Sequence, residues 1–184
     1  MAAASALMFD RGVAGTSTED VRAAAGVSSS QLYHYFENKQ QLVRAVIAHQ
    51  TEAVLAVQQP YLSRLDSFAA LQAWRDMIVA LQRQRHCIGG CPIGSLASEL
   101  ADADAEARRD LEAGFARWET AIRDGLAAMR DRGELRADAD PERLALATLT
   151  ALQGGLLMTQ VRKDTAPLEA GLDMALDAIR VMAP

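Results

Sequence analysis

Residues 29–35 read Ser29-Ser30-Gln31-Leu32-Tyr33-His34-Tyr35. Hydroxyl, carboxamide, imidazole and phenol groups crowd about two helical turns. Their chemistry is hydrogen bonding to an irregular polar surface, not bond-making. As a helix, this segment fits a DNA major groove, its first residues meeting base edges and its hydroxyls reaching phosphates; the plain alternative is a polar surface helix. The other reactive types are Cys87 and Cys91, four apart, with His86 beside the first. A structural zinc site needs four thiolate or imidazole ligands. The chain has two Cys and three His in all, so no metal site is expected. Cys91 precedes Pro92, a residue suited to the first turn of a helix, whose dipole favours a thiolate. Cys91 is therefore the candidate redox or electrophile-sensing residue, set against two inert thiols at a packed bend. No Gly-rich phosphate loop, H-E-x-x-H or nucleophile elbow occurs. The acidic run Glu99, Asp102, Asp104 and Glu106 reads as a helix boundary and solvated face. No catalytic residue and no cofactor is expected.

The elements that position these groups are helices. Alanine is abundant, Pro (5) and Gly (12) are sparse and β-branched runs are few. Gly12 stops a first helix. Ser17 or Thr18 caps a second, over 19–25, which ends at Gly26. Ser28 caps a third, over 29–36, and the pair around the turn at 26–28 forms a helix-turn-helix pattern. Ala23 and Ala24 let the two helices approach, and Val27, Leu32 and Phe36 point inward. Asn38 caps a fourth helix, with Gln41 as its capping-box partner. Leu42, Val46, His49, Ala53 and Val57 line one side of it, and Pro60 ends it. Ser67 opens a fifth helix, running to about residue 86, and Pro92 a sixth. Asp102 and Asp104 precede a long seventh with an apolar stripe from Leu111 to Met129. Asp140-Pro141 starts an eighth helix and Pro167 a ninth.

The 184 residues, half of them hydrophobic and 23% charged, suit a globular chain with a real core. No uninterrupted apolar run reaches ~18 residues, so no membrane span is expected. The opening MAAASALMFDRG lacks a basic region and a long apolar core, so no secretory leader is expected; with only two cysteines, the cytoplasm is the expected compartment. The net charge of −5 argues against a nucleic-acid binder. Residues 1–50 are neutral, with four basic and four acidic side chains, so the acidity lies further on.

The segment 8–39 resembles the TetR family of transcriptional repressors. Met8-Phe9-Asp10-Arg11-Gly12 resembles the end of the family's first helix, and Gly15-Thr16-Ser17-Thr18-Glu19-Asp20-Val21 the start of its second. Gly26-Val27-Ser28 through Phe36, then Asn38-Lys39, resembles its recognition helix and the entry to helix four. Further on, Gly90-Cys91-Pro92-Ile93-Gly94-Ser95-Leu96-Ala97-Ser98-Glu99-Leu100 is similar to the LmrA/YxaF-like branch, and stretches near 133–141 and 152–155 also look like that family. The resemblance implies an all-α homodimer of about nine helices. Each subunit would have a helix-turn-helix head (1–45) and an antiparallel helical body (46–184) for ligand binding and dimerisation. It implies operator double-stranded DNA and a small-molecule effector as partners. Thr16, Thr18 and Lys39 would meet phosphates, Ser28, Ser29, Ser30 and Gln31 base edges, and Tyr33 and His34 backbone or bases. Two departures stand out. Tyr35 occupies a place where the family often has His, and the first helix is shorter by roughly two turns, without the usual basic arm.

Two further expectations concern the body. Trp74, Met77, Ile78, Leu81, Phe115, Trp118, Ile122, Leu152, Gln153 and Leu156 surround an apolar effector cavity, with Gln153 its polar group; ordinary core is the alternative for each. Leu144, Ala151, Leu168, Leu172, Leu176 and Ile179, on the last two helices, form the homodimer contact. Together these readings describe a ligand-responsive repressor released from a near-palindromic operator by a small apolar or aromatic effector. The alternatives are a cysteine-switched regulator acting through Cys91, and a helical small-molecule-binding dimer that binds no DNA.

Overall fold

Side chains fix where the helices begin. Ser17 accepts the Asp20 N–H and Asp20 returns a bond to the Ser17 N–H, a complete capping box. Ser28 and Gln31 repeat it. Asp140 accepts from the N–H groups of Glu142 and Arg143 ahead of Pro141. Such caps are worth about 1 kcal/mol each. The computed structural model describes residues 1–184 and consists of nine α-helices and one 3-10 turn. The helices are α1 Ala2–Arg11, α2 Thr18–Ala25, α3 Ser29–Tyr35, α4 Lys39–Ala56, α5 Phe68–Gln84, α6 Pro92–Leu100, α7 Ala105–Asp131, α8 Pro141–Arg162 and α9 Ala166–Arg180.

The chain forms two compact units. One comprises Met1–Val54 with Pro92–Gly114, so α6 and the start of α7 join the helix-turn-helix segment. The sequence reading divided the chain near residue 45. In this unit Ala4, Met8, Val21, Leu32, Leu42, Val46, Ile47, Ile93 and Leu96 are buried. α4 and α7 approach closely at Gly114, where a Cβ would lie 2.8 Å from the Thr51 hydroxyl. Arg44 ties the same helices, bonding Asp110 at 2.6 Å and Glu106 at 2.9 Å. The α4 stripe drifts from the expected one. Val43, Ile47, Thr51 and Val54 are buried, whereas His49, Ala53 and Val57 are exposed. At its start Asn38 accepts the Gln41 N–H, but the Gln41 side chain accepts from Glu37, not Asn38.

The second unit comprises Leu55–Cys91 and Phe115–Pro184. Its core holds Trp74, Trp118, Ile122, Leu126, Met129, Leu152, Leu168, Leu172, Leu176 and Ile179. α8 and α9 form a tight antiparallel hairpin. Arg75 of α5 clasps the Asp173 carboxylate of α9 with two bonds, of 2.7 and 2.8 Å. Helix α5 stops at Gln84, two residues short of expectation. His86 and Cys87 take left-handed backbone (φ 52° and 55°), although neither is the glycine that signals such a turn.

One expectation about the last helices needs correction. Leu168, Leu172, Leu176 and Ile179 are fully buried inside the subunit and cannot be its outward contact, while Leu144 and Ala151 are half-buried. Both sides of α8 are apolar, so pattern alone did not tell its inner side from its outer, whereas α9 turns Asp173, Asp177 and Arg180 away from its buried leucines. The outer side carries Leu146, Leu157, Met158, Val161, Met174 and Val181, all exposed. Residues 144–161 carry no charge but are broken by Thr, Gln and Gly, and α8 is the one helix that by length and composition alone could cross a membrane. Its inner side, including Ala145, Leu149, Leu152 and Leu156, is core of the second unit.

Candidate functional site

Helix α3 stands on one buried side chain, Leu32, with Phe36 half-buried at its end. Beside it lies an open groove of about 480 Å³, lined by Val21, Ala25, Val27 and Leu42 and by Ser30, Gln31, His34 and Tyr35 of α3 itself. The capping box and Leu32 anchor the helix. Ser29, Ser30, Gln31, Tyr33, His34 and Tyr35 are all exposed. Together they form one continuous hydrogen-bonding surface. Gln31 already spends its carboxamide oxygen on the Ser28 N–H at 2.8 Å, and Ser28 its hydroxyl oxygen on the Gln31 N–H. What Gln31 offers outward is its NH₂. Val27 is only half-buried, and Ala23 and Ala24 are exposed rather than packed between helices.

Tyr35 was absent from the expected contacts, yet it is the most exposed aromatic, at 74%. Its ring meets His34 edge-on, with centroids 5.1 Å apart. An aromatic beside polar residues on a helix with one inward position was the available signal.

The expected phosphate contacts divide. Thr16 is fully buried, and its hydroxyl donates to the Gly12 carbonyl at 2.8 Å. It is a turn-closing residue and cannot face a phosphate. Thr18 is half-buried and donates to Glu19 at 3.1 Å. Lys39 is half-buried, with Nζ donating to the Val13 carbonyl at 2.6 Å. An ammonium has two further donors, so this bond leaves Lys39 able to meet an anion. The nearby Arg44 is engaged by Asp110 first and Glu106 second, which raises its pKa.

In the second unit, Trp74, Ile78, Trp118, Ile122, Leu152 and Leu156 are buried, and Met77, Leu81, Phe115 and Gln153 half-buried. Trp74 donates to Gln58 at 2.9 Å inside this core. By contrast, the Trp118 indole N–H and the Gln153 amide NH₂ are buried with no acceptor. Leaving such a donor unpaired costs roughly 1–3 kcal/mol. Cys87 and Cys91 form no disulfide and are both buried, and a reactive thiol must be reached. No three His, Cys, Asp or Glu side chains are grouped to hold a metal ion.

The bacterial regulatory proteins, tetR family, match residues 1–46, and the tetracyclin repressor-like C-terminal domain matches residues 67–175. The chain belongs to the TetR family. An HTH-type transcriptional regulator from the lacX 3' region of Lactococcus lactis is 31% identical over 170 residues, covering 91% of this chain and 85% of its own. The transcriptional repressor DhaR of a Mycobacterium species is 24% identical, covering 94% and 86%. A TetR transcriptional regulator from Chloroflexus aurantiacus superposes with a TM-score of 0.80 at 27% identity, covering 99% and 92%. As a TetR-family member the protein is a DNA-binding helix-turn-helix transcriptional regulator. Family members act as homodimers on operator DNA under small-molecule effectors.

Proposed function

We propose that this regulator is a repressor that leaves a near-palindromic operator when a small, neutral, apolar or aromatic effector enters the body. The functional division would be a head at 1–45 and a body at 46–184, within the cytoplasm. The Gly90–Leu100 stretch supports a place in the LmrA/YxaF-like branch. The observation that carries the DNA side is α3, whose polar side chains are all outward and backed by Leu32. Ser29, Ser30, Gln31, Tyr33, His34 and Tyr35 are its reading residues, with Ser28, Thr18 and Lys39 at its margins.

The effector class follows from the body. None of the ten candidate lining side chains carries a charge, so an ionised ligand would lack a counter-charge. Trp118 and Gln153 supply donors without acceptors, so the ligand carries an acceptor such as a carbonyl or ether oxygen. The uncharged outer side of α8, with Met174 of α9 beside it, is the homodimer face. Its apolar side chains gain from burial about 25 cal/mol per Å².

The test is selection of bound duplexes from a random DNA pool. A palindrome with half-site centres roughly 34–36 Å apart supports the dimeric repressor. No enrichment at low salt, where phosphate attraction is strongest, would favour the DNA-free binding dimer. With the operator in hand, neutral aromatic compounds with an acceptor should release it.

A further inference from the structure

The turn at residues 12–16 joins α1 to α2 and sets where the helix-turn-helix begins. Locally it is closed only by the Thr16 side chain and the Thr16 N–H, which donate to Gly12 and Val13 carbonyls. Two of its N–H groups point away from the turn, and one side chain takes both. Val13 donates to Glu99 Oε2 at 2.9 Å and Ala14 to Glu99 Oε1 at 2.7 Å. Glu99 lies on α6, 86 residues beyond Val13. Lys39, at the start of α4, takes the Val13 carbonyl. A carboxylate and an ammonium thus grip the N–H and the C=O of one residue. Gly12 admits the carboxylate. Its φ is +77°, and a Cβ there would lie 3.2 Å from Glu99 Oε2.

The chemistry selects glutamate. Two adjacent N–H donors need two acceptor oxygens on one planar group, and only a carboxylate provides them without a donor of its own. A glutamine would set its NH₂ against one of the two N–H groups. The sequence placed Glu99 in a solvated acidic run, which leaves this pairing unexplained. α6 belongs to the same compact unit as the helix-turn-helix, so the bond is internal to the body that must meet DNA as one piece.

We propose that Glu99 is a positioning residue for DNA binding: from α6 it fixes the α1–α2 turn and so the placement of α2 and α3 against the duplex. Glu99 touches no DNA itself.

The experiment compares the wild-type full chain with Glu99→Gln and Glu99→Ala. It reads three things: hydrogen exchange at the Val13 and Ala14 amides, exchange along α3, and affinity for the selected operator at fixed salt. In Glu99→Gln one of the two turn amides should exchange faster while α3 keeps its protection. Operator binding should weaken about three- to tenfold, the scale of one ordinary net hydrogen bond. Glu99→Ala should free both amides and weaken binding further. The sign is diagnostic. Removing an acidic charge from a DNA-binding protein by itself strengthens attraction to phosphate, so a merely electrostatic role predicts tighter binding. Unchanged or tighter binding by Glu99→Gln overturns the proposal, as do turn amides that keep their protection in Glu99→Ala. If Glu99→Ala does not fold, the near-isosteric glutamine variant decides alone. Wild-type binding in the same assay separates loss of this clamp from a chain that binds no DNA.

Discussion

Gly155 of α8 lies so close to Leu168 of α9 that a Cβ on the glycine would sit 2.8 Å from the Leu168 Cα. Backbone cannot swing aside as a flexible side chain can, so the α8–α9 hairpin depends on this missing carbon. Gly155→Ala should gain roughly 1 kcal/mol of helix propensity. The clash with Leu168 should outweigh it at about 1–3 kcal/mol. Thermal unfolding of the variant is expected roughly 2–6 °C below wild type. Gly154, with nothing within 4 Å of its Cβ position, is the control, and Gly154→Ala should not lower the melting temperature.

That contrast shows what the sequence can and cannot carry. Helix starts are local events: Ser28 and Asp140 with Pro141 were legible as caps, the second helix's cap was narrowed to Ser17 or Thr18, and the reciprocal bonds of Asp20, Gln31 and Gln41 were not assigned correctly. The polar surface of α3 was legible too, because a two-turn helix with a single apolar inward position leaves little choice. Long-range packing was not. Thr16 looks like a phosphate contact until the turn closes over it. α6 looks like part of the body until Ile93 and Leu96 are found buried in the unit that holds α1 to α4. The bend at His86 and Cys87 has no glycine to announce it, and α8 has two apolar sides that periodicity cannot rank.

The placement of Thr16 separates folding from reading. Thr16→Val removes a buried hydroxyl donor from the Gly12 carbonyl and should cost about 1 kcal/mol of stability. His34→Ala and Ser30→Ala remove exposed groups and should leave the melting temperature unchanged. Each lost base contact should weaken operator binding by about 1–3 kcal/mol. Denaturation and binding titrations run side by side on the three variants check this. A loss of stability in His34→Ala with operator affinity intact would contradict the assignment.

Trp118 and Gln153 should respond in the opposite way to most core residues. Their buried N–H groups are unpaired, so Gln153→Leu should leave the ligand-free protein as stable as wild type or raise its melting temperature by a few degrees. The same change should reduce release from operator by neutral acceptor-bearing aromatics about tenfold or more, because an unmet acceptor is then carried into an apolar site. Compounds lacking an acceptor should be indifferent to the change. Effector-release curves for matched pairs of compounds provide the measurement.

Glu169 makes part of the α5–α9 contact pH-dependent. Its carboxylate accepts from the Thr165 hydroxyl at 2.6 Å and from Arg83 at 2.7 Å. These bonds, the Thr165 hydroxyl first, hold its pKa below the ordinary 4.5. A carboxyl depressed in the folded state contributes stability above its unfolded pKa and loses it as pH falls through the folded value. Wild type should therefore melt above Glu169→Gln at pH 7. The gap should close once the pH falls below about 4.5 and continues toward the lowered value. Paired melting curves from pH 7 to pH 3 follow it.

The outer side of α8 and α9 carries the last prediction. Leu157 is 60% exposed, Val161 70% and Met174 70%, with no charged residue between positions 144 and 161. An uncovered apolar stripe of this length is unusual on a subunit that stays single. Covering it with a second copy buries the stripe on both chains, in the self-complementary manner of a two-fold contact. Val161→Glu would place two carboxylates, one from each copy, in that apolar contact. Their desolvation costs several kcal/mol if they stay unpaired, enough to shift the dissociation constant by two or more factors of about ten. Sedimentation equilibrium should show wild type as a dimer and Val161→Glu as a monomer at micromolar concentration. Leu172→Val, inside the subunit core, should lower the melting temperature and leave the dimer intact. A Val161→Glu protein that sediments as a dimer would place the contact elsewhere on the surface.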